Sequence, residues 1–183
     1  MDVHHALLTR RTIHSFLPDA VDQTVLDRAV EAAHHAPSHR MVWPWRFTQL
    51  GPVAREAIAA RAVTIKSKGS ALPAEEVAAI RQKFFDVPEL WVVSQVVHQD
   101  PARLLEDYAA VSCAIENLSL SLHADGIGSK WSTGVITTDG VTYTAAGIDP
   151  TVERIVGFVW IGRARETPQV KRPAWSTVLR TTA

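Results

Sequence analysis

The sequence has little cysteine, no excess of either charge and no long apolar run. Its single cysteine, Cys113, excludes a disulfide within the chain. Nineteen basic residues balance nineteen acidic ones, so no overall field draws the protein to nucleic acid or to an anionic membrane. No apolar stretch approaches the roughly 20 residues of a membrane-spanning helix, and the opening MDVHHALLTRR lacks the apolar core of a signal peptide. We therefore expect a cytoplasmic protein with no nucleic-acid or membrane partner.

Two common catalytic signatures are also missing. No GxSxG nucleophile turn occurs in the 183 residues. The glycine pattern GIGSKWSTG, residues 126–134, superficially resembles a dinucleotide-binding loop. It follows a long predicted helix instead of a first strand, and its third glycine falls at the wrong spacing. These features argue against a classical Rossmann NAD site.

What the sequence does have is the composition of one globular domain. Hydrophobic residues make up 46% of the chain and charged residues 21%, without low-complexity segments, which predicts a single domain over residues 1–183. Periodicity and Gly/Pro breaks predict helices at 2–10, 22–36, 53–68, 74–85 and 102–124, and strands at 45–50, 89–97 and 154–162, with a strand and turn at SKWSTG. This alternation predicts a layered α+β or α/β domain.

The longest predicted helix, residues 102–124, is apolar most of the way round. One seam at helical spacing contains Leu104, Tyr108, Val111, Ile115, Leu118 and Leu122, and further apolar residues lie on the other faces. Such a helix is buried on several sides. Either a second subunit covers it or it is the central helix of a monomer. Cys113 lies within it and is interpreted as a small buried thiol.

Two clusters of polar residues are candidate sites. Arg10, Arg11 and Thr12 place two guanidiniums and a hydroxyl within three residues, a set that suits a phosphate group; alternatively, the arginines are basic residues favoured by a helix C-terminus. His35 and His39 have the spacing of metal ligands on a helix, but Pro37 between them prevents a regular helix. We therefore predict no metal site and expect these rings to donate hydrogen bonds or to stack.

The histidines lie in an unusual segment, HHAPSHRMVWPWRF, residues 34–47. Pro37 ends the preceding helix, and Pro44 favours an extended backbone before the next strand. The segment is therefore predicted to be a loop between a helix and a strand.

Four motifs together resemble the nitroreductase family of FMN-dependent oxidoreductases, particularly its short bacterial members. LLTRRTIHSF resembles the R-R-S-x-[KR]-x-F signature, and APSHRMVWPWRF resembles A-P-S-x-x-N-x-Q-P-W-x-F. GIGSKWSTG is similar to the glycine-rich G-x-G-x-x-W strand and turn, and RIVGFVWIG to the final I-V-G-x-x-x-I-G strand. The motifs occur in the family's order and span residues 7–162.

The resemblance implies an α+β fold, a three-layer sandwich with a central, mainly antiparallel sheet and a long buried central helix. It also implies a homodimer whose FMN sites are shared across the interface. Position by position, the implied FMN-binding residues are Arg10, Arg11 and Thr12 at the phosphate and ribityl chain, His14 at the pyrimidine edge, His39 with His35 from the partner, and Trp131, Ser132 and Thr133 beside the isoalloxazine ring. Lys171 and Arg172 lie where longer members place basic residues on the phosphate.

The implied activity is hydride transfer by a ping-pong mechanism, from NAD(P)H as co-substrate to a nitroaromatic, quinone or similar small oxidant. The flavin carries the chemistry, so no catalytic side chain is predicted. Met41 and Trp43 stand where the family usually has Asn and Gln, which leaves open a non-catalytic flavin- or small-molecule-binding protein of the same fold. A structural dimeric α+β domain is the third interpretation.

Overall fold

The structure is a computed structural model that describes residues 1–182, with six α-helices and four strands in that range. The helices are α1 (Val3–Thr9), α2 (Gln23–His34), α3 (Pro52–Ser67), α4 (Ala74–Gln82), α5 (Pro101–Ala124) and α6 (Gly140–Ala146). The strands are β1 (Trp45–Gln49), β2 (Glu89–Val96), β3 (Gly128–Ser132) and β4 (Glu153–Gly162). Every helix and strand predicted from the sequence is present, and α6 is an additional helix that the sequence analysis did not predict.

The four strands form one sheet in the order β1-β2-β4-β3, and all neighbouring strands are antiparallel. The side chains of successive residues in the central strand β2 point to opposite faces of the sheet. Trp91 and Val93 belong to one buried cluster, whereas Val92 belongs to the other. The sheet is therefore covered on both sides.

Helices make the two outer layers. On one face α2 and α5 pack through Leu26, Ala29, Ala114, Ile115 and Leu118. On the other face α3 and α6 pack against the sheet through Ile58, Ala59 and Tyr143, together with Phe84 and Val87 from the segment before β2. This arrangement confirms the predicted α+β three-layer sandwich with its antiparallel sheet and long central helix.

The helix α5 begins and ends at clear local signals. Asp100 caps its start by accepting a hydrogen bond from the amide of Ala102, and Pro101 occupies the first turn. Gly126, with φ of 76°, follows its C-terminal end. Within residues 1–182, neither α5 nor any other helix is long and apolar enough to cross a membrane.

One face of α5 points away from the core. Leu105 is 71% exposed, and Ala109 and Cys113 are also exposed. The three residues are spaced by four and form one stripe on the helix surface. The interpretation of Cys113 as a buried thiol is therefore wrong for the single chain, because the core takes Val111 and Ala114 on the opposite side of the helix.

Candidate functional site

The segment from Arg10 to Leu17 is held between β3 and the chain that follows β4. The amide of Ile13 donates to the carbonyl of Ser129 at 3.0 Å, and the amide of Leu17 donates to the carbonyl of Arg163 at 2.9 Å. These bonds fix the backbone of the segment along the edge of the sheet. They consequently set the positions of the arginines and of His14.

Two glycines allow this close packing. Gly126 takes the left-handed conformation that ends α5. Gly128 lies directly beneath the segment, and a Cβ there would come within 2.6 Å of Cγ1 of Ile13. The GIGSKWSTG pattern thus turns the chain out of α5 and lets β3 approach residues 10–17.

A cavity of about 220 Å³ opens beside the first part of the segment. We call it the arginine cavity; among its lining residues are Arg10, Arg11, Ile13, His123, Gly128 and Ser129. Nε of Arg10 donates to Oε1 of Glu116 at 2.9 Å. Nη1 of Arg11 donates to the carbonyls of Leu8 and Arg10, both at 2.8 Å. The cavity therefore has two guanidiniums held by neighbouring acceptors.

His123, near the end of α5, forms part of the same wall. Its Nε2 lies 2.8 Å from the hydroxyl of Thr9. Burial, followed by the positive charge of Arg10, lowers the pKa of His123 below its usual value. The ring therefore favours its neutral form beside the two arginines.

A larger groove of about 540 Å³ adjoins the second part of the segment. We call it the cationic groove. Its lining includes one acid, Asp86, the rings of Phe84 and Trp160, and the basic side chains of His14, Lys83, Lys130 and Arg165. Nζ of Lys130 lies 5.0 Å from the centre of the Trp160 ring, within reach of a cation–π interaction. Burial, and then the charge of Lys83, lowers the pKa of Lys130. Aromatic and positively charged side chains together suit a flat ring whose edge carries hydrogen-bond acceptors.

The predicted residues at the end of β3 divide between the two faces of the sheet. Trp131 packs against the cluster that contains α5, and its Nε1 is buried with no hydrogen-bond partner among the described residues. The hydroxyl of Ser132 accepts a hydrogen bond from Nε1 of Trp160 at 2.7 Å, beside the cationic groove. Thr133 follows the strand and is exposed.

His35 and His39 lie elsewhere in the chain. His35 caps the end of α2, and His39 begins a short 3-10 turn, with its Nε2 3.9 Å from Oε2 of Glu106. Glu116, the partner of Arg10, is ten residues further along α5, a rise of about 15 Å. A single chain therefore does not bring His39 to the arginine cavity.

The loop around His39 has an uncommon backbone. Arg40, Met41 and Trp43 all have positive φ, of 55°, 54° and 44°. Residues other than glycine rarely adopt this conformation, although Asn does so more readily than most. Two of the three are the positions at which the chain departs from the family pattern, and both side chains are exposed.

Sequence reasoning missed four residues of the site. Lys83, Lys130 and Arg165 come from three separate parts of the chain and meet only at the cationic groove, and Glu116 reaches Arg10 from α5. No motif or spacing joins them. Lys171 and Arg172 are exposed in the C-terminal segment, and among residues 1–182 no three His, Cys, Asp or Glu side chains are grouped as metal ligands would be.

The fold is an α+β sandwich in which residues 10–17 border two cavities, one with two arginines and one with cationic and aromatic side chains. The chain belongs to the nitroreductase family, whose model matches residues 7–163, and this confirms the family resemblance of the four motifs. Its sequence is 32% identical over 167 residues to YfhC of Bacillus subtilis strain 168, a protein provisionally named an NAD(P)H nitroreductase; the match covers 90% of this chain and 85% of YfhC.

Solved structures of low sequence identity share the fold. A nitroreductase-like protein from Bacillus cereus superimposes with a TM-score of 0.84 at 22% identity, over 100% of this chain and 96% of its own. A provisionally named nitroreductase from Desulfovibrio desulfuricans, crystallised in complex with FMN, gives a TM-score of 0.78 at 19% identity, over 100% and 98% of the two chains.

Proposed function

We propose that this protein is an FMN-dependent oxidoreductase that transfers hydride from NAD(P)H to a small oxidant such as a nitroaromatic or a quinone. The observation that carries the proposal is the segment of residues 10–17, which places Arg10 and Arg11 at one cavity and His14 at a second cavity lined by aromatic and cationic side chains. FMN has a phosphate at one end and an aromatic ring system at the other. Family membership and the FMN complex of the Desulfovibrio protein support the same ligand.

The residues present fit the two ends of FMN. Arg10 and Arg11 would bind the phosphate, because guanidinium groups match phosphate oxygens in geometry and charge. Thr12 is exposed beside them and can donate its hydroxyl to the phosphate or to the ribityl chain.

The cationic groove fits the polar edge of the ring. His14, Lys83 and Lys130 would offer donors and positive charge there, and these stabilise a ring that gains negative charge on reduction. Bound FMN would supply the redox chemistry by accepting a hydride from NAD(P)H and passing it to the oxidant in a second half-reaction. The protein's role is to hold the ring, exclude water from it and set the local charge, so we propose no catalytic side chain.

We further propose that the protein is a homodimer whose flavin sites are shared between subunits. The exposed stripe of Leu105, Ala109 and Cys113 on α5 gives the second subunit an apolar surface to cover. The separation of His39 from Arg10 within one chain is consistent with His39 and His35 serving the site of the partner.

The visible spectrum of the purified protein tests the proposed activity. A yellow protein, or one that becomes yellow with added FMN, should lose its flavin absorbance when NADH or NADPH is added under anaerobic conditions, and an oxidant should restore it. FMN that binds but is not reduced by either nucleotide would instead favour the non-catalytic binding protein. A protein that takes up no FMN at all would favour a structural domain.

A further inference from the structure

We propose that Glu116 is a positioning residue that holds Arg10 in the orientation needed to bind the cofactor phosphate. This inference rests on the proposed function, because the phosphate is that of FMN. The contact that carries it joins Nε of Arg10 to Oε1 of Glu116 at 2.9 Å. The two residues are 106 positions apart in the sequence, so the fold alone brings them together.

The contact with Glu116 occupies only the Nε donor of Arg10. A guanidinium has five N–H groups, and four of them are on the two terminal nitrogens. Glu116 engages Nε, which leaves the terminal nitrogens for a bidentate contact with phosphate oxygens. An arginine without this carboxylate would lose side-chain freedom on binding the phosphate, whereas a held arginine has already lost it.

The part of α5 that carries Glu116 is held in place by its packing. Its neighbours on α5, Ile115 and Leu118, are fully buried in the core between the helices and the sheet. The backbone of Glu116 is therefore fixed relative to β3 and to the arginine cavity. The side chain of Arg10 is 22% exposed and that of Glu116 is 46% exposed, and Arg10 lines the arginine cavity.

The charge of Glu116 has two opposing effects. Its carboxylate offsets the repulsion between Arg10 and Arg11, but it also repels an incoming phosphate. A positioning role requires the hydrogen bond more than the charge. An amide oxygen at the same place would still accept the hydrogen bond from Nε, and replacement by alanine would remove both the bond and the charge.

Glu116→Gln and Glu116→Ala separate these effects when FMN and riboflavin are titrated by the quenching of flavin fluorescence. We expect Glu116→Ala to raise the Kd for FMN about threefold to tenfold, the range for one lost hydrogen bond, and Glu116→Gln to stay near the wild-type value. Riboflavin has no phosphate, so its Kd should not change in either variant. Arg28→Ala is the matched control, because it removes a similar partly exposed ion pair, with Asp125 at 2.9 Å, and Arg28 on α2 lines neither cavity; it should leave both ligands unaffected.

A double substitution checks that Glu116 acts through Arg10. In an Arg10→Ala background, Glu116→Ala should have no further effect on FMN. Tighter FMN binding by both Glu116 variants would overturn the proposal, because it would show that the carboxylate mainly competes with the phosphate. Equal losses for FMN and riboflavin would also overturn it in favour of a folding effect. Failure of the wild-type protein to bind FMN would refute the proposed function itself, whereas wild-type binding with an unchanged Glu116→Ala variant would refute only this inference.

Discussion

Gly128 lies so close to Ile13 that no larger residue fits between β3 and the N-terminal segment. A Cβ at Gly128 would be 2.6 Å from Cγ1 of Ile13 and 3.2 Å from the carbonyl oxygen of Gly162. Ile13 is itself buried and is hydrogen-bonded through its amide to Ser129. Ile13 therefore links the backbone of the glycine motif in β3 to the backbone that carries Arg10 and Arg11.

Gly128→Ala should displace Ile13 and with it the backbone of residues 10–14. Overpacking of this kind costs about 1–3 kcal/mol of the free energy of unfolding, and FMN affinity should fall together with it. Chemical denaturation and flavin titration measure the two effects. Gly140→Ala is the control, since a Cβ at Gly140 meets nothing within 4 Å. Normal stability and FMN affinity in Gly128→Ala would show that the segment tolerates displacement.

Arg10→Ala should weaken FMN binding by about 1.5 to 3 kcal/mol, the range for hydrogen bonds to a charged group. The fold should remain intact, because Arg10 contributes no side chain to either buried cluster. The loss should be much smaller for riboflavin. Equal losses for both flavins, measured by the same titration, would place the role of Arg10 somewhere other than the phosphate.

The sequence predicted the framework of the fold well because its strongest signals are local. The apolar periodicity of α5 predicted residues 102–124, and the structure has Pro101–Ala124. The helix α6 was missed because GVTYTAA is short and rich in Thr, Val and Tyr, although Asp139 caps its start and Gly147 ends it with φ of 67°. Those two caps were the available signal.

The site was only partly predictable, for a different reason. Motif resemblance selected Arg10 and His14, which lie on one short segment. Lys83, which follows α4, and Lys130 on β3 join His14 at the cationic groove through the tertiary fold, and no one-dimensional pattern encodes such a meeting. The exposure of Cys113 could not be predicted either, because periodicity shows which residues are apolar but not which face of a helix the rest of the chain covers.

Leu105→Asp should shift the proposed dimer toward a monomer of 20.1 kDa. An aspartate at this exposed site leaves the single chain stable but places an unpaired charge in an apolar interface, which is costly. Sedimentation velocity measures the change. Val53→Asp is the control, since Val53 is 86% exposed on α3. Leu118 would be a poor choice, because it is buried in the chain's own core. A wild-type protein that is monomeric with full flavin occupancy would refute the shared site.

The neutral state of His123 predicts a pH dependence of stability. Its folded pKa is lowered by burial and by Arg10, so the unfolded chain binds the proton more readily. The free energy of unfolding should therefore fall as the pH drops from above about 6.5, the ordinary histidine value, toward the lowered folded pKa. His123→Gln keeps a polar partner for Thr9 and should flatten this part of the curve, measured without added flavin. An identical slope in the variant would assign the effect to other groups.

His39 gives the sharpest test of a site shared between subunits. If His39 reaches the flavin held by the partner, His39→Ala should weaken flavin binding even though the residue is distant from Arg10 in its own chain. The defect should then follow the subunit that donates the loop. A heterodimer that pairs an Arg10→Ala chain with a His39→Ala chain can be prepared with two different affinity tags.

The arrangement of the two defects decides the outcome. With a shared site, the Arg10→Ala chain receives its loop from the His39→Ala chain, so one site carries both defects and the other carries neither. About half of the sites in that heterodimer should then bind FMN with wild-type affinity, because subunits of a C2 dimer exchange equivalent contacts. If each site were built from one chain, every site would carry one defect and no site would bind normally. A flavin titration that finds no sites of wild-type affinity would therefore refute the contribution of His39 across the interface.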